Sequence, residues 1–267
     1  MMTEIREQRG VFGEAVDAYD SARPGYPESL VDDVLGYAGL NGSPVLEVGA
    51  GTGKASVAFA ERGITLTCVE PDARMAAALK GRCEPYPRTT VVVSGFEQWS
   101  APEERFGLLV SAQAWHWIDP ASRWTLAFDA LRPGGAIALF WNQFSVPDTV
   151  LLSALTDVHA RHGVEALASA TLGSNEPSEP PSLSAWPLSD LQSDDRFRDI
   201  QTRTYRTRYS FTSTRYIDLL ASISAYRMLS ETQRGALFAE VARVVDGHER
   251  SFEIETSTHL YLARTRR

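Results

Sequence analysis

The residues of this chain whose types and spacing could do chemistry begin with Glu47-x-Gly49-x-Gly51-x-Gly53, at the end of the apolar run Val45 to Val48. Glycines on alternate positions let the backbone turn through positive φ and let a ligand approach the main chain where a Cβ would otherwise stand. Ala55-Ser56-Val57-Ala58-Phe59-Ala60 follows, so the stretch reads as strand, tight turn and helix, with the unpaired N–H groups of the helix at the turn. Spacing separates the ligand loops compatible with this outline. A triphosphate cradle needs Gly-x-x-x-x-Gly-Lys-Ser/Thr, but Val48 stands where its first glycine belongs and Ala55 replaces the hydroxyl. A dinucleotide fingerprint, Gly-x-Gly-x-x-Gly, needs its third glycine where Lys54 stands. A second acid, Glu70, closes the next apolar run, Ile64 to Val69. An acid about 20 residues beyond a glycine loop, at the tip of the neighbouring parallel strand, can accept two hydrogen bonds from a ribose diol.

Together these features resemble the first motif and ribose acid of the S-adenosylmethionine-dependent methyltransferases with the seven-stranded Rossmann-like fold. The resemblance implies a doubly wound α/β sheet whose last strand is antiparallel, S-adenosylmethionine as cofactor and S-adenosylhomocysteine as product. It places the cofactor on Glu47, Gly49, Gly51, Gly53, Glu70 and Pro71, with Met75 on the next helix either touching it or packing the core. In that family the loop after the third strand holds adenine, commonly through an acid that reaches the exocyclic amine. Aligned on Glu97, the acid position is Gly95 here, so Ser94 or Gln98 would have to replace it, and Phe96 would add apolar area or stacking.

Phe106 to Val110 reads as a fourth strand, ending in Ser111-Ala112-Gln113-Ala114-Trp115-His116-Trp117. Ligands in open α/β sheets bind beyond the carboxyl ends of the strands, so this loop would face the same crevice as the glycines. It resembles the segment after strand four in small-molecule methyltransferases similar to trans-aconitate and related methyltransferases. Gln113 would then line the methionine end of the cofactor. His116 would be a base for a hydroxyl or acidic carbon, or a contact to the acceptor. The alternative is an imidazole that orients Trp115 or Trp117, and those two rings are either core or walls of the acceptor pocket. Tyr19-x-x-x-Arg23-Pro24-x-Tyr26-Pro27 resembles an N-terminal flap over cofactor and acceptor, which makes Tyr19, Arg23 and Tyr26 acceptor-pocket candidates; packing around a turn is the other reading.

The elements that must position these residues alternate strand and helix from residue 45 to residue 141, the pattern of a parallel sheet with helices on both faces. Strands are expected at Val45–Val48, Ile64–Val69, Thr89–Val93, Phe106–Val110 and Ala136–Trp141, the last fed by the turn Arg132-Pro133-Gly134-Gly135. Beyond Asn142 a helix is expected over Thr149–Arg161, then a Pro-, Ser- and Glu-rich loop, Gly173 to Pro187. A sixth strand over Ile200–Phe211, helices over Arg215–Leu229 and Glu231–Val245, and a closing strand over Ser251–Ala263 complete the chain. The expected segments are a flap and helix at 1–40, a cofactor-binding core at 41–142, a lid insertion at 143–199 and the rest of the sheet at 200–267.

At 267 residues and 43% hydrophobic content the chain can bury a core, and its net charge of −8 argues against nucleic acid as a partner. Arg203, Arg206, Arg208 and Arg215 alternate with threonine and tyrosine, as on the solvated face of a strand. Two cysteines and no long apolar run argue against a disulfide framework or a membrane partner and suggest the cytoplasm. His159 and His162 share one helix, but no third ligand accompanies them, and a solvated helix end is the expectation there rather than a metal. The expected partner is therefore a small-molecule acceptor. Because this sheet hosts several chemistries, a cofactor-retaining cyclase or rearrangement enzyme, or a non-catalytic binding protein, remains open at this point.

Overall fold

The computed structural model describes residues 22–103, 105–173, 186–248 and 250–266. Seven strands form a single mixed sheet in the order β3-β2-β1-β4-β5-β7-β6, with the last strand antiparallel. The strands are β1 Val45–Val48, β2 Leu66–Glu70, β3 Thr89–Val93, β4 Phe106–Ala112, β5 Leu131–Ser145, β6 Phe197–Phe211 and β7 Phe252–Thr265. β1 pairs in parallel with β2 and β4, β2 with β3, and β4 with β5. All four residues of β1 are buried, which is why the run carries no polar alternation: a central parallel strand is covered on both faces. Edge strand β3 is only partly buried.

Contacts within the chain group it into two units. Unit 2 comprises Gly25–Trp141, Pro181–Thr204 and His259–Arg267; unit 1 comprises Met1–Pro24, Asn142–Pro180 and Tyr205–Thr258. Unit 2 holds the glycine loop and the strands that deliver it. Its helices include α1 Glu28–Ala38, α2 Lys54–Ala60, α3 Ala73–Cys83, α4 Arg123–Ala130 and, after the fourth of the central strands, a short 3-10 turn Trp115–Trp117. α3 starts where Asp72 accepts hydrogen bonds from Arg74 N–H and Met75 N–H, an N-cap that contributes about 1 kcal/mol. Leu46, Val48, Leu109, Ile137 and Leu139 pack with Phe96, Trp115, Trp124 and Phe197 in its core.

In unit 1, α5 Thr149–Arg161, α6 Glu165–Thr171, α8 Ser213–Ala221, α9 Ser224–Arg227 and α10 Glu231–His248 enclose a second core around Leu155, Val158, Tyr216, Leu219, Tyr226, Leu237 and Val241. The remaining helix, α7 Leu188–Ser193, belongs to unit 2. α5 has the bounds expected from sequence, with Asp148 capping Val150 N–H and Leu151 N–H.

Several elements differ from expectation for local reasons. The single helix expected over Arg215–Leu229 is two, because Ser222 breaks it: its hydroxyl donates back to Leu219 O at 2.6 Å. Strand β5 starts at Leu131 rather than Ala136. Phe106 pairs with Leu131 and Leu108 with Ala136, so Arg132-Pro133-Gly134-Gly135 loops out as a bulge within the strand, with Gly134 at φ +68°. The arginines of β6 lie on an exposed face as expected, and Arg208 meets Glu253 and Glu255 at 3.4 and 3.2 Å. His159, expected at a solvated helix end, is instead fully buried. The segmentation at 40, 142 and 199 cuts the chain differently from the two units, since 142–180 shares a unit with 205–258.

Candidate active site

Everything described in this section lies in unit 2 except Arg23. Gly49, Gly51 and Gly53 all adopt positive φ, at +71°, +58° and +94°. They differ in what a side chain would meet. A Cβ at Gly49 would overlap the Cβ of Ala114, and one at Gly53 would lie 2.5 Å from Leu79 Cδ1, whereas one at Gly51 would meet nothing within 4 Å. Packing therefore demands the outer two glycines, while the middle one opens onto space a ligand can enter. The overlap at Gly49 also shows that the glycine loop lies directly against the segment after β4, two residues before His116.

Glu70, at the end of β2, is 5% exposed and ties the loop down. Its Oε2 accepts from Gly51 N–H at 2.8 Å and its Oε1 from Asp72 N–H at 2.9 Å. Burial raises its pKa, and these two N–H groups act against that rise. Each carboxylate oxygen retains a lone pair, so the acid beside Gly51 can hold the loop and still accept from ligand hydroxyls. Pro71 follows at an exposed position.

Glu47 lies deeper. It is 1% exposed, Oε2 accepts from the Cys68 thiol at 3.7 Å, and Oε1 has no hydrogen-bond partner among the described residues. Burial pushes its carboxyl up to about 7. An incompletely satisfied buried carboxylate is costly, and a cationic group or a donor brought to it would relieve that cost.

On the adenine side of the resemblance, a Cβ at Gly95 would overlap Gln98 Oε1, so the carboxamide of Gln98 occupies the space where a side chain at 95 would begin. Ser94 Oγ instead donates to Gly95 O at 2.9 Å. Glu97 Oε1 accepts from Asp119 N–H at 3.0 Å, fastening the loop after β3 to the loop after β4. Phe96 is buried, stacked on Trp99 with ring centroids 6.2 Å apart and tilted against Trp115 at 6.1 Å. Met75 is likewise a buried residue of α3.

In the loop after β4, Gln113 has φ +58°, a conformation uncommon for a residue with a side chain, and its N–H donates to Phe140 O at 3.0 Å. Strained backbone of this kind collects at functional sites. Trp115 is fully buried and tilts against Trp124 at 5.4 Å, so it is core. His116 is exposed, with Trp117 half-buried beside it at 4.8 Å. Its Nδ1 accepts from Trp141 Nε1–H at 3.2 Å.

Of the flap candidates, Tyr19 lies outside the described residues. Arg23, in unit 1, donates to Ser222 Oγ and Ser222 O, both at 3.0 Å. Tyr26 packs edge-on against Phe140 at 4.7 Å.

Sequence reasoning missed the supports around His116. The Trp141 ring is held edge-on by Trp186 at 5.3 Å and Tyr261 at 5.8 Å. One oxygen, Asp190 Oδ2, accepts from Trp186 Nε1, Trp124 Nε1 and Arg123 Nη2 at 3.1, 2.9 and 3.0 Å, and Arg123 sits 4.8 Å over the Trp186 ring. The available signal was an aromatic at the carboxyl end of β5, beyond which ligands bind. Trp186 and Asp190, in a Pro-rich stretch of no clear period, gave none.

Residues 45–135 match the family described as a methyltransferase domain. An uncharacterized methyltransferase of Mycobacterium tuberculosis H37Rv is 37% identical over 142 residues, 53% of this chain and 56% of that protein. The chain thus spans about half the length of the curated relatives it matches. In three dimensions the chain is similar to a protein of Anaeromyxobacter dehalogenans assigned as a type II methyltransferase, with TM-score 0.62 at 19% identity, over 91% of this chain and 97% of the other. It is also similar to a Haemonchus contortus phosphoethanolamine N-methyltransferase solved with phosphomonomethylethanolamine and S-adenosylhomocysteine. There the TM-score is 0.51 at 15% identity, over 96% of this chain and 58% of the other. With the glycine loop, the ribose-side acid and the seven-stranded order in place, the chain carries the methyltransferase domain of the class I, Rossmann-like S-adenosylmethionine-dependent methyltransferases.

Proposed function

We propose that the protein transfers the methyl group of S-adenosylmethionine to a small-molecule acceptor and releases S-adenosylhomocysteine. The observation that carries this reading is the pairing of Glu70 with Gly51: a nearly buried carboxylate bound to the N–H of the one loop glycine whose Cβ would face open space. Glu70 would accept from the ribose hydroxyls, the N–H groups around Gly51 and Gly53 would face the amino-acid end, and Glu47 would answer its ammonium. Gln98 would supply the adenine-side polar contact in place of an acid at Gly95. Gln113 would line the methyl end.

S-adenosylmethionine supplies an activated methyl on a positively charged sulfonium, so the protein's share is positioning and exclusion of water. The packing of Gly49 on Ala114 sets the spacing between the cofactor loop and the loop that carries His116 and Trp117. The acceptor would stand against those two side chains, its nucleophile in line with the methyl. The net charge of −8 favours a small acceptor over nucleic acid.

The test is a calorimetric titration of S-adenosylmethionine and S-adenosylhomocysteine into the protein and into Glu70→Ala. Wild type binds both, and the variant loses roughly 1.5–3 kcal/mol, the range for hydrogen bonds to a charged group. Equal affinity in folded Glu70→Ala removes the assignment of Glu70; no binding of either compound to wild type removes the methyltransferase reading.

A further inference from the structure

The hydrogen bond from Trp141 to His116 has a directional consequence. An indole N–H can only donate, so His116 Nδ1 must present its lone pair and the proton of the neutral ring must sit on Nε2. Whatever Nε2 meets must therefore be an acceptor. Protonating the ring would instead set an Nδ1–H against the indole N–H. The indole cannot readily turn away, because Trp186 and Tyr261 hold it edge-on and Asp190 holds Trp186.

We propose that Trp141 is a positioning residue that fixes His116 as a hydrogen-bond donor, and that His116 Nε2–H binds an anionic oxygen of the acceptor instead of deprotonating its nucleophile. This deepens the methyltransferase reading and rests on it. The acceptor class that follows is a small carboxylate, or another oxygen already ionised near neutral pH, flanked by the rings of Trp117 and Trp141. Such a nucleophile needs no base: its oxygen bonds to the methyl carbon as the carbon–sulfur bond breaks, the bonding pair leaves on sulfur, and the sulfonium charge and the carboxylate charge cancel.

The experiment is a nitrogen–proton NMR correlation on protein labelled with 15N-histidine and loaded with S-adenosylhomocysteine, with His116 assigned by its loss in His116→Asn. The expected pattern is Nε2 protonated and Nδ1 bare in wild type, and a mixture of both tautomers in Trp141→Phe. Phenylacetate should shift the His116 signal, with at least tenfold weaker response to phenylacetamide and several-fold weaker response to phenylacetate in Trp141→Phe. A proton on Nδ1, or a tautomer unmoved in Trp141→Phe, overturns the positioning role. Equal response to phenylacetate and phenylacetamide overturns the anionic acceptor. Titrating S-adenosylhomocysteine into the same sample by calorimetry keeps the readings apart: absent cofactor binding sinks the methyltransferase reading, while the tautomer is still read on the unloaded protein.

Discussion

His159 in unit 1 and His116 in unit 2 are held in opposite tautomers, and the difference shows how the two units use polar groups. His159 Nδ1 lies 2.7 Å from Leu155 O, which can only accept, so Nδ1 carries the proton and Nε2 accepts from Tyr226 OH at 2.8 Å. The chain runs on to Thr171 Oγ1 at 2.7 Å, which donates to Leu167 O at 2.6 Å. Both ends stop at backbone carbonyls inside a core, and burial lowers the pKa of His159, keeping it neutral. At His116 a donor occupies Nδ1 and the proton is turned to the exposed side of the ring. The first histidine fixes structure; the second is arranged to meet a ligand.

The largest test of that contrast is Glu47→Gln. A carboxyl whose folded pKa is raised from 4.5 to about 7 holds its proton in the native state while the unfolded chain has lost it. Stability from this group is therefore intact below pH 4.5 and falls as pH rises toward 7. Glu47→Gln should raise stability by up to about 3 kcal/mol at pH 8 and by little at pH 4.5, read by urea denaturation at both values. If it also weakens S-adenosylmethionine binding, unit 2 keeps a destabilising charge for its ligand; equal stability at both pH values would show that Glu47 is not ionised against its surroundings.

Asp190→Asn comes next. It keeps the shape but removes the charge on which Arg123, Trp124 and Trp186 converge, and should cost about 2 kcal/mol. Because the Trp186 and Trp141 rings loosen with it, the His116 tautomer should become mixed as well. A destabilised protein with an unchanged tautomer would separate Asp190 from the site.

Tyr226→Phe sharpens the other side. It removes the donor to His159 Nε2 and should cost about 1 kcal/mol in thermal or urea unfolding while cofactor affinity stays at the wild-type value. A large loss of cofactor affinity would mean that unit 1's buried chain does more than hold its core.

The same contrast explains what was legible in the sequence. Val45–Val48, Glu70 and Gly49-x-Gly51-x-Gly53 are readable because strand, turn and acid are local patterns, and the sheet's parallel half follows from their alternation. Pairing partners distant in sequence are not. Nothing in Trp141 as the end of an apolar run announces a bond to His116, and nothing in Tyr226, within a helical pattern, announces His159, 67 residues before it. The acid missing at Gly95 was visible as a departure, but the filling of its place by Gln98 needed coordinates. Phe96 and Trp115 were open between ligand wall and core, and their burial decides for core.

All six tryptophans of the chain, at 99, 115, 117, 124, 141 and 186, fall in unit 2, and unit 1 contains none. The protein therefore carries its own optical label for one unit. Emission excited at the red edge, where tyrosine does not absorb, follows unit 2 alone, whereas far-ultraviolet circular dichroism follows the helices of both. If the two signals part during denaturation, the units melt as separate cooperative blocks, and a ligand that delays only the emission change has identified the block it binds.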